Sequence, residues 1–358
     1  MSHLSNFEVF LLLSVLKVAV VLVITLMGVA YTVLLERKLL ARMQNRWGPS
    51  RVGPFGLLQP LIDGAKSFLK EDIIPLAVER PLFILAPIIA LGCALISVSV
   101  VPFGAVTRVS LHGSPAVDLF QIANVNIGLL VILGITSIGV YGITLSGWSS
   151  NNKYSLFGSL RSTAQVISYE LALGLSLVGV VLRAQSLNLR TIVESQSAHG
   201  MRSWNFFGGL QFVAFFIYLM AAYAETNRAP FDLPEAEAEL VAGYHTEYSS
   251  MKFAMFFMAE YANMITVSCL ATLLFFGGAT SPFGHLFASF LNTPVFNALF
   301  PVCWFIAKVF GFLSLYIWVR ATLPRFRYDQ LMSFGWKFLL PLAMANIVAT
   351  SLILALRG

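Results

Sequence analysis

Charged residues and cysteines are scarce in this chain of 358 residues. Only 11% of the side chains are charged, whereas 58% are hydrophobic, and the mean hydropathy is +0.79. Soluble globular proteins usually carry about 25% charged residues. The composition therefore excludes that class and indicates a membrane protein that crosses the bilayer several times.

The few cysteines do not form a metal-binding pattern. Cys93, Cys269 and Cys303 lie singly in apolar segments, with no Cys-x-x-Cys spacing and no nearby His. Isolated cysteines of this kind are far more often small apolar side chains than ligands. We expect no iron–sulfur or zinc site made by this chain alone. A glycine-rich phosphate loop after a strand is also lacking, which leaves a nucleotide site without support.

Eight apolar segments are long enough to cross the hydrocarbon core as helices, which takes about 20 residues. The predicted spans are roughly 10–35, 82–104, 123–147, 164–183, 208–226, 253–277, 299–320 and 337–356. The predicted fold is an all-α polytopic membrane protein with about eight transmembrane helices, in a single domain over 1–358. Because Glu36-Arg37-Lys38 follows the first segment in place of a small-residue cleavage site, we expect that segment to be retained.

Basic residues are concentrated in the loops that follow the first, third, fifth and seventh spans. These loops and their flanks hold most of the 23 Lys and Arg residues. By the positive-inside rule they face the cytoplasm, or the matrix of a mitochondrion, and both termini lie on the outer, periplasmic side. We expect function to reside in the inner-face loops 36–81, 227–252 and 321–336. The same asymmetry explains the net charge of +6 without nucleic-acid binding.

The first inner loop predicts an amphipathic helix. Two Gly-Pro pairs, at 48–49 and 53–54, enforce turns. Apolar residues then recur with helical period over 57–69, interleaved with Asp63 and Lys66, which suits a helix lying at the membrane interface. Two interpretations stay open, a simple surface helix and a helix that also covers a cavity.

The densest charge follows the fifth span. The acidic residues there are Glu225, Asp232, Glu235, Glu237, Glu239 and Glu247. Pro230 and Pro234 prevent the fifth helix from continuing, and Asp232 with Glu235 resembles a helix-capping pair. A short acidic helix is predicted to follow, either as a solvated surface element or as a functional one.

Four carboxyl groups fall in or at the ends of predicted spans. Glu170 and Glu260 lie inside spans, while Glu36 and Glu225 lie at span ends of similar depth. Acidic side chains that converge inside a membrane are typical of proton relays, although a single one can serve only as an interhelical hydrogen-bonding group. Two lysines also fall in spans. Lys17 is close enough to the outer end to snorkel outward, and Lys308 is deeper and could pair with a carboxyl.

Five motifs closely resemble one family over nearly the whole chain. They are Glu-Arg-Lys at 36–38, the Arg-Trp-Gly-Pro to Gly-Leu-Leu-Gln stretch at 46–59, Ala-Glu-Thr-Asn-Arg-Ala-Pro-Phe-Asp-Leu-Pro-Glu-Ala-Glu at 224–237, Met-Ala-Glu-Tyr at 258–261, and Arg-Ala-Thr-Leu-Pro-Arg-Phe-Arg-Tyr-Asp-Gln-Leu-Met at 320–332. The family is the membrane subunit of proton-pumping NADH:quinone oxidoreductases of respiratory chains, called H in bacteria and subunit 1 in mitochondria.

The resemblance implies a subunit that anchors the hydrophilic arm of a complex to its membrane arm and lines the tunnel by which a quinone reaches the last iron–sulfur cluster. It implies quinone as substrate, FMN and iron–sulfur clusters in partner subunits, and no cofactor bound by this chain, which would not be catalytic alone. The implied partners are the hydrophilic-arm subunits near the quinone headgroup, small and antiporter-like membrane subunits, and lipid. The implied location is the bacterial inner membrane, or that of a mitochondrion.

The resemblance also implies roles for individual residues. Those matching the quinone chamber, its mouth and its bordering loop are Arg37, Arg46, Asp63, Arg228, Phe231 and Asp232. Those matching the proton-coupling chain are Glu36, Tyr169, Glu170, Glu225, Glu235, Glu237 and Glu260.

Two other functions compete with this one. The first is a related membrane subunit of an energy-converting hydrogenase or ferredoxin-linked complex, since the electron donor binds far from this chain. The second is a free-standing ion-coupled transporter that uses the intramembrane carboxyls. Long charged inner loops and the lack of evident internal repeats argue against the transporter.

Overall fold

The computed structural model describes residues 6–109, 117–197, 200–233, 242–283 and 294–357. Their helices are α1 Asn6–Met43, α2 Gln59–Leu69, α3 Arg80–Val98, α4 Gly128–Ser149, α5 Lys153–Ala184, α6 Leu189–Ser195, α7 Leu210–Glu225, α8 Ser250–Phe275, α9 Pro294–Thr322, α10 Tyr328–Phe334 and α11 Leu340–Arg357. A π-helical turn, Gly335–Leu339, joins α10 to α11. Strands β1 Arg108–Val109 and β2 Val117–Asp118 pair antiparallel.

The predicted all-α polytopic membrane fold is confirmed. Among the described residues, seven helical segments are long and apolar enough to cross a membrane. They are α1, α3, α4, α5, α8, α9 and the continuous α10–α11 segment. The fifth predicted span is α7, which has only 16 residues and is therefore about 24 Å long, against a hydrocarbon core of about 30 Å.

Several predicted boundaries were wrong. The first helix was expected to end near residue 35 but continues to Met43, because Glu, Arg, Lys, Leu and Ala are all good helix formers and no breaker occurs before Gly48-Pro49. The helix predicted over 164–183 begins at Lys153, where the Asn152 side chain accepts a 2.9 Å hydrogen bond from the Tyr154 amide. Hydropathy locates the apolar core of a helix and not its polar extensions.

The core of the bundle lies around α5 and α8. Helix α5 packs against α4, α7 and α11, while α8 packs against α3, α7, α9 and α1. Small residues permit close approach, as at Gly142, where a Cβ would lie 2.8 Å from the Ala90 Cβ on α3. Most of α1 is exposed apolar surface, which suits contact with lipid or another chain.

Two lysines hold the loops at one end of the bundle. Lys17 Nζ donates to the carbonyls of Asp118, Gln121 and Ile122 at 3.1–3.2 Å. Lys308 Nζ donates to the carbonyls of Phe276, Gly278 and Thr280 at 2.7–2.8 Å. The carboxyl partner considered for Lys308 is replaced by the carbonyls that follow α8. We call the opposite end, formed by 44–79, 150–152, 226–233, 242–249 and 323–327, the charged end.

Candidate functional site at the charged end

A buried carboxylate on α1 is the centre of the site. Glu36 accepts a 2.6 Å hydrogen bond from the Tyr261 hydroxyl of α8. Arg228 Nη1 donates to both carboxylate oxygens at 3.2 Å, and Arg320 of α9 forms an ion pair with Glu36. Buried charges persist in proteins when they are paired and hydrogen-bonded, and Glu36 satisfies both conditions.

Arg228 joins this carboxylate to a second one. Its Nε forms an ion pair with Glu260 of α8, and its guanidinium carbon lies 4.2 Å from the centre of the Tyr261 ring. The Arg228 side chain is only 7% exposed. A single guanidinium thus connects Glu36 to Glu260, and through them α1 to α8, since its planar group can serve two carboxylates at once.

Glu260 and Glu225 open onto a common cavity. Glu225 is the last residue of α7, as predicted. The cavity wall also includes Thr136 of α4, Asn227 and Asn263. Hydroxyl and amide groups that line a cavity beside carboxyls can hold water, so the two carboxyls can communicate through hydrogen bonds without direct contact.

Glu170 lies on α5 one helical turn after Val166, which lines this cavity. It accepts a 2.6 Å hydrogen bond from the Ser137 hydroxyl of α4 and is within electrostatic range of Glu225. The neighbouring Tyr169 points the opposite way and donates to the Leu331 carbonyl at 2.8 Å. Its ring packs on the π-helical turn, where a Cβ on Gly335 would lie 3.3 Å from it. The four membrane carboxyls therefore follow one another in the order Glu36, Glu260, Glu225 and Glu170.

The loop after α7 is fixed by α5. Gln165 donates to the carbonyls of Ala224 and Phe231, both at 2.7 Å. Asn227 occupies the left-handed region with φ 52°, which asparagine tolerates. These bonds hold the turn that carries Arg228 at the end of the membrane helix.

Phe231 and Asp232 extend this loop toward the last basic segment. The buried Phe231 ring lies 5.7 Å from the Tyr169 ring and stacks on Phe326 at 5.5 Å. Asp232 faces Arg325 at 3.8 Å. The last basic loop thus meets the loop after α7 across the charged end.

The remaining predicted residues lie on the exposed side of the site. Arg37 forms a 2.6 Å ion pair with Asp63, which also accepts from Gln59 at 2.9 Å. This pair fastens the amphipathic helix α2 to the end of α1, and α2 also contacts α8. Arg46 is exposed and donates to Gln44 at 2.7 Å. Glu235, Glu237 and the predicted acidic helix lie outside the described residues.

A buried histidine lies beneath the same end. His245 packs edge-on against Tyr244, Phe253 and Phe257, and burial lowers its pKa to about 4. Nearby, Tyr248 donates to the Phe83 carbonyl at 3.1 Å, and burial raises its pKa to about 12. Gly158 of α5 allows this segment to approach, since a Cβ there would lie 2.9 Å from the Gly243 Cα.

Sequence reasoning assigned no role to four residues of this network. They are Tyr261, Arg320, Gln165 and Ser137. Tyr261 and Arg320 belong to the motifs at 258–261 and 320–332, and this membership was the sequence signal that could have identified them. Ser137 and Gln165 belong to no such motif. Within the described segments, His, Cys, Asp and Glu side chains form no group of three suited to a metal ion.

These features define a polytopic membrane protein with a chain of buried and half-buried carboxyls and ion pairs that leads from a charged end into the bundle. Residues 16–351 match the sequence profile of the family described as NADH dehydrogenase, and the chain belongs to that family.

The sequences of several relatives align with this chain over almost its full length. A protein of Koribacter versatilis, named as an H-type subunit of an NADH-quinone oxidoreductase, is 60% identical, over 99% of this chain and 100% of its own length. One of Solibacter usitatus, which is named in the same way, is 47% identical over 97% and 98%. The corresponding NADH-quinone oxidoreductase subunit of Leptospira biflexa is 50% identical over 94% and 93%.

Proposed function

We propose that this chain is the H-type membrane subunit of a proton-translocating NADH:quinone oxidoreductase, which acts only within the assembled complex. Its family and the names of its relatives support the assignment. The observation that carries the mechanism is the double pairing of Arg228 with Glu36 and Glu260. It gives a direct electrostatic link between the charged end and the carboxyls inside the bundle.

On the quinone side, the residues proposed to border the access path are Arg37, Arg46, Asp63, Arg228, Phe231 and Asp232. Helix α2 supports this role because it presents apolar side chains, such as Leu61 and Phe68, beside the Arg37–Asp63 ion pair. An isoprenoid tail needs such apolar walls, and a headgroup needs polar ones. The headgroup site and the nearest iron–sulfur cluster belong to hydrophilic-arm subunits docked on the charged end.

On the proton side, the coupling chain comprises Glu36, Glu260, Glu225 and Glu170, with Tyr169 beside it and Glu235 and Glu237 at its entrance. Reduction of the quinone changes the charge near Glu36. Because losing one partner of a buried ion pair costs about 3–5 kcal/mol, Arg228 responds by shifting between its two carboxylates. That shift alters the charge on Glu260, and through the shared cavity it alters the protonation of Glu225 and Glu170.

Electron transfer itself belongs to cofactors in other subunits. FMN and the iron–sulfur clusters would be held by the hydrophilic arm, and the antiporter-like membrane subunits would receive the effect of quinone reduction. The complex would reside in the bacterial inner membrane. No described feature favours the hydrogenase-type relative or the free-standing transporter.

The test is to tag the chain, extract it from native membranes in mild detergent and analyse what co-purifies. We expect a particle of several subunits with flavin absorbance, iron–sulfur paramagnetic signals and inhibitor-sensitive NADH:quinone activity. The same clusters with hydrogenase or ferredoxin activity instead would select the related complex. A colourless monomer or homo-oligomer that transports ions would contradict both.

A further inference from the structure

Two buried tyrosines beside the acidic chain have no role in the mechanism above. Tyr223 of α7 and Tyr316 of α9 are 4% and 3% exposed, and their rings stack with centroids 3.9 Å apart. No described residue hydrogen-bonds to the Tyr223 hydroxyl, and the Tyr316 hydroxyl faces only the hydroxyl of Thr226. A buried hydroxyl without a partner costs about 1–3 kcal/mol, and the Tyr223 hydroxyl, beside a second one that has a single neighbour, calls for an explanation.

The neighbouring tyrosine on α7 shows that this is not a general property of the helix. The Tyr218 hydroxyl, which is fully buried, donates to the Val267 carbonyl at 2.8 Å. Of the two tyrosines on α7, only Tyr223 therefore has a hydroxyl without a protein partner. A polar site with two to four hydrogen-bonding groups is the kind that holds an ordered water molecule in a protein interior.

The position of the pair relates it to both ends of the acidic chain. Tyr316 precedes Arg320 by four residues on α9, which places both on one helix face about one turn apart. Arg320 is paired with Glu36. On the other side, Tyr316 is within electrostatic range of Glu225 and lies next to the Thr226 hydroxyl. Thr226 donates its own proton to the Ala222 and Tyr223 carbonyls, which leaves its lone pairs as acceptors.

We propose that the Tyr223 and Tyr316 hydroxyls bind at least one ordered water molecule and form, with Thr226, a second hydrogen-bonded connection between the Glu36–Arg320 ion pair and Glu225. This connection runs beside the one through Arg228 and Glu260, and the proposal rests on the proposed function. Each hydroxyl and each water accepts one proton and releases another. The hydrogen bonds of the connection can therefore reverse direction one after another while every group stays neutral.

The first experiment is a cryo-EM map, at a resolution that shows water, of the purified complex with native chain and with the Tyr223→Phe/Tyr316→Phe double variant. We expect density within hydrogen-bonding distance of both native phenol oxygens and none at that place in the variant. The matched control is Tyr218→Phe, which removes a hydroxyl that already has a protein partner and should leave this density unchanged. A native map without water at the pair would overturn the proposal.

The second experiment measures NADH-driven proton pumping for Tyr316→Phe, Glu260→Gln and their combination, each normalised to flavin content. Because two connections run in parallel, Tyr316→Phe alone should reduce pumping less than about tenfold, whereas the combination should reduce it by more than the product of the single effects. Effects that simply multiply would overturn the second connection while leaving the proposed function intact. A purified chain without flavin would instead refute the proposed function.

Discussion

The Tyr261 hydroxyl donates a 2.6 Å hydrogen bond to the buried carboxylate of Glu36 across 225 residues of sequence. This bond orients the carboxylate so that its oxygens also face Arg228 and Arg320. Since Tyr261 directly follows Glu260, one turn of α8 presents a phenol to Glu36 and a carboxylate to Arg228. The charge of Glu36 on α1 and the charge of Glu260 on α8 are therefore coupled.

Glu225→Gln should impair quinone reduction and proton pumping without preventing assembly. Glutamine has the shape of glutamic acid but cannot lose or gain a proton, so the cavity shared with Glu260 keeps its form. The measurement is NADH:quinone turnover and pumping in the purified complex. Glu194→Gln, at the opposite end on the exposed side of α6, is the control and should leave both unchanged. Normal pumping in an assembled Glu225→Gln complex would contradict the coupling chain.

Arg320→Met should destabilise the Glu36 cluster. It removes one charged partner from a buried carboxylate that keeps Arg228 and Tyr261, and Arg320 is itself 38% exposed, so the cost is about 1–3 kcal/mol, less than for a carboxylate left with no partner. The check is the midpoint of thermal inactivation of the complex. As control we suggest Arg327→Met, because Arg327 is 79% exposed and its pair with Asp329 is worth little. Equal shifts for the two variants would refute a structural role for the Arg320–Glu36 pair.

The turn around His245 should lose stability in acid. Burial lowers the folded-state pKa of His245 from 6.5 to about 4. Between about pH 6.5 and 4, His245 therefore binds a proton in the unfolded turn but not in the folded one. The free energy of unfolding the turn is greatest above about pH 6.5 and falls as the pH drops toward 4. Hydrogen exchange of amides 243–248, corrected for intrinsic rates, should show protection falling between pH 7.5 and 5. The His245→Phe variant should lack this pH dependence, and constant protection in the native protein would contradict the prediction.

Lys308→Met should weaken the end of the bundle opposite the charged end. It leaves three carbonyls after α8 without their common donor and removes the ammonium 4.3 Å from the Trp204 ring centre. We expect a loss of about 2–4 kcal/mol, seen as less assembled complex and a lower thermal midpoint. Lys337→Met, at an exposed position, is the matched control. A Lys308→Met complex as stable as that control would exclude the capping role.

Much of the fold followed from hydropathy because lipid requires long apolar helices. The amphipathic helix α2 was also predicted, since its periodicity is local. The end of α1 was wrong because helix propensity continues past the apolar core.

The site, too, could be predicted only in part. The carboxyls could be named from the sequence because charge in an apolar segment is conspicuous. Their partners could not, because Tyr261 and Arg320 lie 225 and 284 residues from Glu36 and carry no local signal of that contact.

The short helix α7 has a consequence for the electrical profile of the membrane. Its 16 residues span about 24 Å, about 6 Å less than a typical hydrocarbon core, so a helix centred in that core ends inside it. A charge at such a position lies within the layer over which the transmembrane voltage falls. Glu225 is the residue at that edge, and its ionisation is thus more exposed to the membrane potential than that of a carboxyl at the surface.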